Sequence, residues 1–177
     1  MFPRTFAWLD NLVTGDEEWV LYVNHTKKKH WLLRGEQGGS TPKPGLHQLE
    51  EVNSVSWNST CIVYWEMVPH GTTIPVDVYC RQIKSVAVAL HGKKDRVFFI
   101  HDTARAYVTK LTQHKLKRLG WAVMLHSLYS TDVTPTDYNM FYSLQNHLNA
   151  TRFDNRDDLK RWWANFFNSQ TPGFYRS

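Results

Sequence analysis

Four apolar residues in succession, Val97, Phe98, Phe99 and Ile100, run directly into His101 and Asp102. A continuous apolar run fits a strand buried on both faces, whereas a half-exposed strand would alternate. Such a strand demands a sheet with layers packed on each side, which restricts the fold more than any other feature of the chain. Asp102 stands at the strand's carboxyl end, and in open α/β sheets ligands bind in the crevice outside those ends. Thr103 reads as the N-cap of a helix that follows at once, with Ala104, Val108, Leu111 and Leu119 at helical spacing until Gly120 closes the segment. Taken alone, Asp102 reads first as a capping carboxylate at that helix N-terminus, so chemistry there requires partners.

The rest of the chain supplies the sheet and its covering layers. "NLVTGDEEWVLYVN" reads as a strand carrying Asp16, and "EVNSVSWN" and "CIVYWEMV" as a hairpin turning at Ser59 and Thr60. Tyr79, Ile83, Val86 and Leu90 mark one helical face after Pro75. "WAVMLH" is a fifth strand. Thr136 can cap a helix burying Met140, Phe141, Leu144 and Leu148, and Asn155 one carrying Leu159, Trp162, Trp163, Phe166 and Phe167. Three strands, a helix, a strand, a helix, a strand and two helices predict an α/β fold: a mixed five-stranded sheet with an antiparallel start and helices on its faces. From His25 to His47 the pattern fails, and "KKKH", "RGEQGGS" and "TPKPG" are loop composition. A stretch that long without elements of its own is functional or disordered.

At 177 residues the length fits one domain over 1–177 with a real core, and 42% hydrophobic residues argue against disorder. No apolar run approaches a membrane span, and the N-terminus lacks the basic-then-apolar order of a signal peptide, so an intracellular setting is expected. Cys61 and Cys80 are too few for a disulfide framework or a cysteine zinc site and are expected to be reduced packing residues. A formal net charge of +5 favours a polyanionic partner.

Asp16 lies in the first strand, Asp102 at the end of the fourth, and Asp137 in the first turn expected after Thr136. If the first and fourth strands are parallel neighbours, the first two aspartates meet, and a crossing helix can deliver the third. Three converging carboxylates repel one another unless divalent cations neutralise them. Hard oxygen ligands suit Mg²⁺ or Mn²⁺, and a pair of such ions can serve an in-line phosphoryl displacement.

"VTGDEEWVLY", "STPKPGLH", "HDTARAYV" with "YSTDVTPTDYNMF", and "RFDNRDDLKRWWANFF" together resemble the catalytic domain of a mariner-family transposase, an RNase H-like fold. In that family 34 residues separate the second and third aspartates, the interval between Asp102 and Asp137 here, and the "PTDY" context selects Asp137 over Asp132. The resemblance runs from about Phe6 to Tyr175. It implies that Asp16, Asp102 and Asp137 are the catalytic metal ligands for two Mg²⁺ or Mn²⁺ ions, in an enzyme that cuts DNA at transposon ends and joins the freed 3′-hydroxyl to target DNA. It also implies a nuclear setting, and a clamp from about Lys27 to Pro44 that reaches DNA and a partner subunit, as a homodimer or with an intact transposase. The chain departs from the family's HDNARPH at Thr103, Ala106 and Tyr107, and from YSPD at Thr131; "VALHGKKDR" looks shortened. The family's N-terminal helix-turn-helix pair and its final C-terminal segment are expected to be missing.

Lys27, Lys28 and Lys29 in the clamp, Arg105, and Lys110 and Lys117 with His114 on one helical face are the candidate phosphate contacts; each also reads as a solvated surface charge. Trp31 is the candidate stacking or dimer contact, whereas Trp57, Trp65, Trp162 and Trp163 follow core patterns. His101 reads either as an orienting group beside the carboxylates or as a strand-end histidine satisfied by backbone, and Glu17 and Glu18 as solvated. Two functional classes follow: a metal-dependent DNA endonuclease and strand transferase, or an impaired remnant that binds nucleic acid or dimerises.

Overall fold

The first strand of the chain lies at the centre of the sheet. In the structure, a computed structural model that describes residues 9–24, 50–68, 74–94, 96–102, 108–125 and 140–176, β1 (Leu12–Leu21) pairs antiparallel with β2 (Glu50–Trp57) and parallel with β4 (Phe98–His101). β3 (Ile62–Val68) and β5 (Ala122–Leu125) form the edges, in the order β3-β2-β1-β4-β5. The expected mixed sheet with an antiparallel start is thus the observed one. Asn58 shapes the β2–β3 turn, its Oδ1 accepting the backbone N–H of Thr60 (2.9 Å) and Cys61 (3.1 Å).

Alternation along β1 divides the core in two. Val13 points to the face covered by α1 (Val76–Leu90) and α2 (Lys110–Arg118), where Tyr79, Ile83, Val86, Leu90 and Leu116 close over Val97 and Phe99. Val20 points to the opposite face, covered by α3 (Tyr142–Leu148) and α4 (Arg156–Ser169). There it meets Val55 and Trp57 of β2, Met140, Leu144 and Leu148 around α3, and Leu159, Trp163, Phe166 and Phe167 of α4. β4 alternates: Phe99 and His101 are buried under α1 and α2, whereas Phe98 and Ile100 are only partly buried on the other face, so the continuous apolar run does not mark full burial on both sides. Pro75, with its fixed φ, stands at the N-cap of α1, and Asn155 Oδ1 accepts the Asp158 N–H at 2.9 Å to cap α4.

Three further expectations need correction. The helix expected to run unbroken to Gly120 is interrupted: Val108 and Thr109 are not helical, and α2 begins at Lys110 with the Thr109 hydroxyl accepting the Thr112 N–H at 3.2 Å. Thr103 itself lies outside the described residues. The apolar stripe was also misjudged, because Val108, Leu111 and Leu119 are exposed while Thr112 and Leu116 face the sheet. Finally, Cys61 is exposed at the hairpin, and of the two thiols only Cys80 is buried.

Met140 and Phe141 are buried as expected, in a wider turn leading into α3, and Thr136 lies outside the described residues. Trp57 and Trp163 are core residues, and Trp65 and Trp162 pack against the same cluster. No helix among the described residues is long and apolar enough to cross a membrane.

Candidate active site

The parallel ladder between β1 and β4 pairs Leu12 with Phe98, Val13 with Phe99 and Thr14 with Ile100. Continuing that register by two residues on each strand brings Asp16 level with Asp102. Even-numbered positions of β1 share Val20's face, and in β4 the odd-numbered Phe99 takes the α1–α2 face while Phe98, Ile100 and then Asp102 alternate away from it. Both carboxylates therefore belong to the side of the sheet covered by α3 and α4. Each is partly buried, and Asp16 Oδ1 accepts the Glu17 N–H at 2.8 Å, which orients the carboxylate.

Helix direction reinforces this arrangement. β1, β3, β4 and β5 run the same way, so α1 and α2 begin at the end of the sheet where β3 and β4 finish, whereas α3 runs alongside β1 in β1's own direction, with Gln145 beside Glu18 and the residues after the helix bonded to Tyr22 and Asn24. Tyr79, in the first turn of α1, registers the charges there: burial pushes its hydroxyl well above the usual tyrosine value, and the negative charges of Glu17, Asp102, Cys80 and Asp16 add to the effect. α3 lies against Asp16's side of β1, its Gln145 side-chain amide donating to Glu18 Oε1.

His101 is turned the other way. It is 2% exposed, on the α1–α2 face, with its ring 5.4 Å from Phe99 and 6.0 Å from Tyr79. It lines a cavity of about 330 Å³ with Val108, Leu116, Lys117 and Trp121. Alternation thus removes it from the side of the sheet that carries Asp102.

Among the described residues no group of three His, Cys, Asp or Glu side chains is placed to hold a metal ion. Asp16 and Asp102 are two of the three carboxylates singled out by sequence; Asp137 lies outside the described residues, as do Lys27, Lys28, Lys29, Trp31 and Arg105. Lys110 and Lys117 are exposed on α2, which carries Lys115 and Arg118 as well and no acidic residue. Lys110 is in the first turn, at the end of the sheet where Asp102 lies, and Lys117 is two turns farther, about 10 Å along the axis.

Residues 21–98 match the family model described as Transposase (partial DDE domain). The Mariner Mos1 transposase of Drosophila mauritiana is 30% identical over 176 residues, 96% of this chain and 51% of the relative. The human Histone-lysine N-methyltransferase SETMAR is 33% identical over 175 residues, 95% of this chain and 25% of the relative. Solved Mos1 structures superpose on nearly the whole fold. The paired-end complex with left transposon end does so at a TM-score of 0.85, with 31% identity, covering 97% of this chain and 52% of that one. The paired-end complex with Mn gives 0.83, at 31% identity and 95% and 51% coverage. The catalytic domain alone gives 0.78, at 28% identity and 97% and 76% coverage.

Over nearly its whole length the chain is similar to the catalytic domain of mariner-family transposases. It spans about half the length of the Mos1 relative and a quarter of SETMAR. The RNase H-like sheet expected of a mariner catalytic domain is the sheet observed. Sequence reasoning undervalued two residues of this mariner fold. Glu17 and Glu18 read as solvated, yet Glu17 Oε1 accepts from Ser54 Oγ at 3.2 Å and Glu18 is held by Gln145. Strict alternation from Asp16 carried the signal for Glu18, since i and i+2 share a face.

Proposed function

We propose that this chain is the catalytic core of a DNA transposase, a divalent-metal-dependent endonuclease and strand transferase acting on transposon-end DNA. The observation that carries the reading is the parallel β1–β4 ladder, whose register, continued by two residues, sets Asp16 level with Asp102, with α3 packed on the same side of β1. Asp137 precedes α3 by five residues in the sequence. A helix that packs on the face of the other two carboxylates, its first turn bonded to Glu18 of β1, is the element such a third ligand needs.

The donor set fits hard cations. Asp16, Asp102 and Asp137 offer only carboxylate oxygens, and the nearest histidine in sequence, His101, faces away, so Mg²⁺ or Mn²⁺ suits them better than a softer metal. Bound there, a pair of such ions would supply Lewis acidity that activates a water or a 3′-hydroxyl and stabilises the leaving oxygen in an in-line displacement. The chain's own residues do the holding. The Glu17 N–H orients Asp16, the β1–β4 ladder just before the carboxylates would set Asp16 against Asp102, and burial of Phe99 under α1 and α2 keeps that register from slipping. The acid-free outer face of α2, with Lys110 at the near end and Lys117 beyond it, would neutralise backbone phosphates as DNA approaches. Lys27, Lys28, Lys29 and Arg105 would add to that contact, and Trp31 would serve pairing of two copies through the clamp. That Mos1 is solved in paired-end complexes, one with left transposon end and one with Mn, supports DNA, pairing and metal as the partners of this core.

Supercoiled plasmid incubated with the purified chain and Mn²⁺ tests the reading. Nicking that requires the metal and is lost in Asp16→Asn, Asp102→Asn and Asp137→Asn supports it. Equal nicking by wild type and all three variants, or DNA retention without any cleavage by wild type, overturns it in favour of a binding remnant.

A further inference from the structure

Apolar packing holds α3 to the sheet through Met140, Leu144 and Leu148 against Val20 and Val55. Such contacts are non-directional and tolerate a helix sliding or rolling by a fraction of a turn. Backbone bonds just past its C-terminus, Asn24 N–H to the Thr151 carbonyl and Phe153 N–H to the Tyr22 carbonyl, hold that end of the segment, and within the helix the Gln145 amide donates to Glu18 Oε1, joining the first turn of α3 to β1 across a partly buried interface. Glu18 stands two residues beyond Asp16 on the same face, roughly 7 Å along the strand.

We propose that Glu18 and Gln145 form a positioning clasp that sets α3 against β1 at the level of the metal-binding carboxylates. The inference rests on the metal-dependent reading above and deepens it. A carboxylate accepting from an amide in a partly dry interface makes a strong, directional bond, suited to fixing the axial position of a helix. Gln145 lies eight residues after Asp137, so the helix it anchors is the one that the third carboxylate leads into. Misplacing a ligand-bearing element by about 1 Å can cost roughly 100-fold in rate, so one such bond has large leverage. Glu18 is a positioning residue here: its oxygen is taken by Gln145, and it acts on the site through α3.

Mn²⁺ binding to the full chain, followed by electron paramagnetic resonance of the free ion, reads this without catalysis. Gln145→Ala keeps the Glu18 charge and removes the clasp; its binding midpoint is expected to rise about 10-fold, the usual scale for groups that orient metal ligands. Glu18→Ala should lose at least as much, and the double variant no more than Glu18→Ala alone. Glu18→Gln retains a carbonyl acceptor and should bind more tightly than Glu18→Ala. A wild-type midpoint in Gln145→Ala, or losses that add fully in the double variant, overturns the clasp while leaving the metal site standing. A wild-type chain that binds no Mn²⁺, or binds it equally after Asp16→Asn and Asp102→Asn, removes the metal reading and the clasp with it. Thermal unfolding without metal serves as the control, because a purely structural bond would lower the melting temperature and leave the midpoint unchanged.

Discussion

Gly15 lies directly against the ring of Phe99. A Cβ placed on Gly15 would stand 3.2 Å from Phe99 Cζ and 3.2 Å from Ser56 Oγ, closer than ordinary packing permits. The contact joins three strands at one point, since Gly15 belongs to β1, Ser56 to β2 and Phe99 to β4. It also sits one residue from Asp16 and three from Asp102, so the closeness of β1 and β4 beneath the carboxylates depends on a missing side chain. Gly15→Val should destabilise the fold by about 1–3 kcal/mol through overpacking, measured by urea unfolding, and should reduce Mn²⁺ affinity in the folded protein. A variant as stable as wild type would show that the strands can part at no cost.

Glu51 is a buried carboxylate with two partners, Tyr22 Oη donating at 3.1 Å and Arg156 Nε at 3.5 Å. Arg156 also donates to the Met67 and Val68 carbonyls and so ties the start of α4 to the end of β3. Removing it leaves the Glu51 charge without its cation. Because the Arg156 side chain is 47% exposed, water can replace part of the loss. Arg156→Ala is therefore expected to cost about 1–3 kcal/mol, the range for orphaning a buried polar group. Equilibrium denaturation measures this, and Glu51→Gln in the same background should recover part of the loss; no recovery would mean that the carbonyl contacts matter more than the charge.

Two tyrosines make an alkaline prediction. Burial, then the Glu66 hydrogen bond and charge, push the Tyr64 hydroxyl up to about 12, and burial with the nearby Cys61 pushes Tyr175 up to about 12. The unfolded chain releases these protons near pH 10 while the folded chain keeps them, so the folded state binds more protons between those values. Their contribution to stability is complete below pH 10 and is lost as pH rises towards about 12. Urea midpoints should fall across that window, and the Tyr64→Phe, Tyr175→Phe double variant should show a shallower fall. An unchanged slope would contradict the assignment.

Much of this fold was legible because local pattern and tertiary environment agree. The apolar run at Val97–Ile100 announced a strand, although only its Phe99 face is fully buried, and Asn155 capped the helix its position suggested. Reading failed where two signals competed. Thr103 was the cap the sequence suggested, yet α2 is capped by Thr109, with Thr112 and Leu116 packed on the sheet. His101 and Asp102 are adjacent in sequence but alternate across a strand, so a histidine that looked like an orienting group faces a different layer. Glu18 was passed over because its partner, Gln145, lies 127 residues away, a separation that no local pattern encodes. Bringing Asp16 towards Asp102 required β1 and β4 to be parallel neighbours, which the order of elements suggested and the ladder from Leu12 to Thr14 bears out.

Crystals grown with Mn²⁺ and measured at the manganese edge test the convergence of carboxylates most directly. The account predicts anomalous peaks within about 2.5 Å of oxygens from Asp16, Asp102 and Asp137, on the α3 side of the sheet. Ordered density for Asp137 on the α1–α2 side, or manganese bound without Asp16 and Asp102, would contradict it.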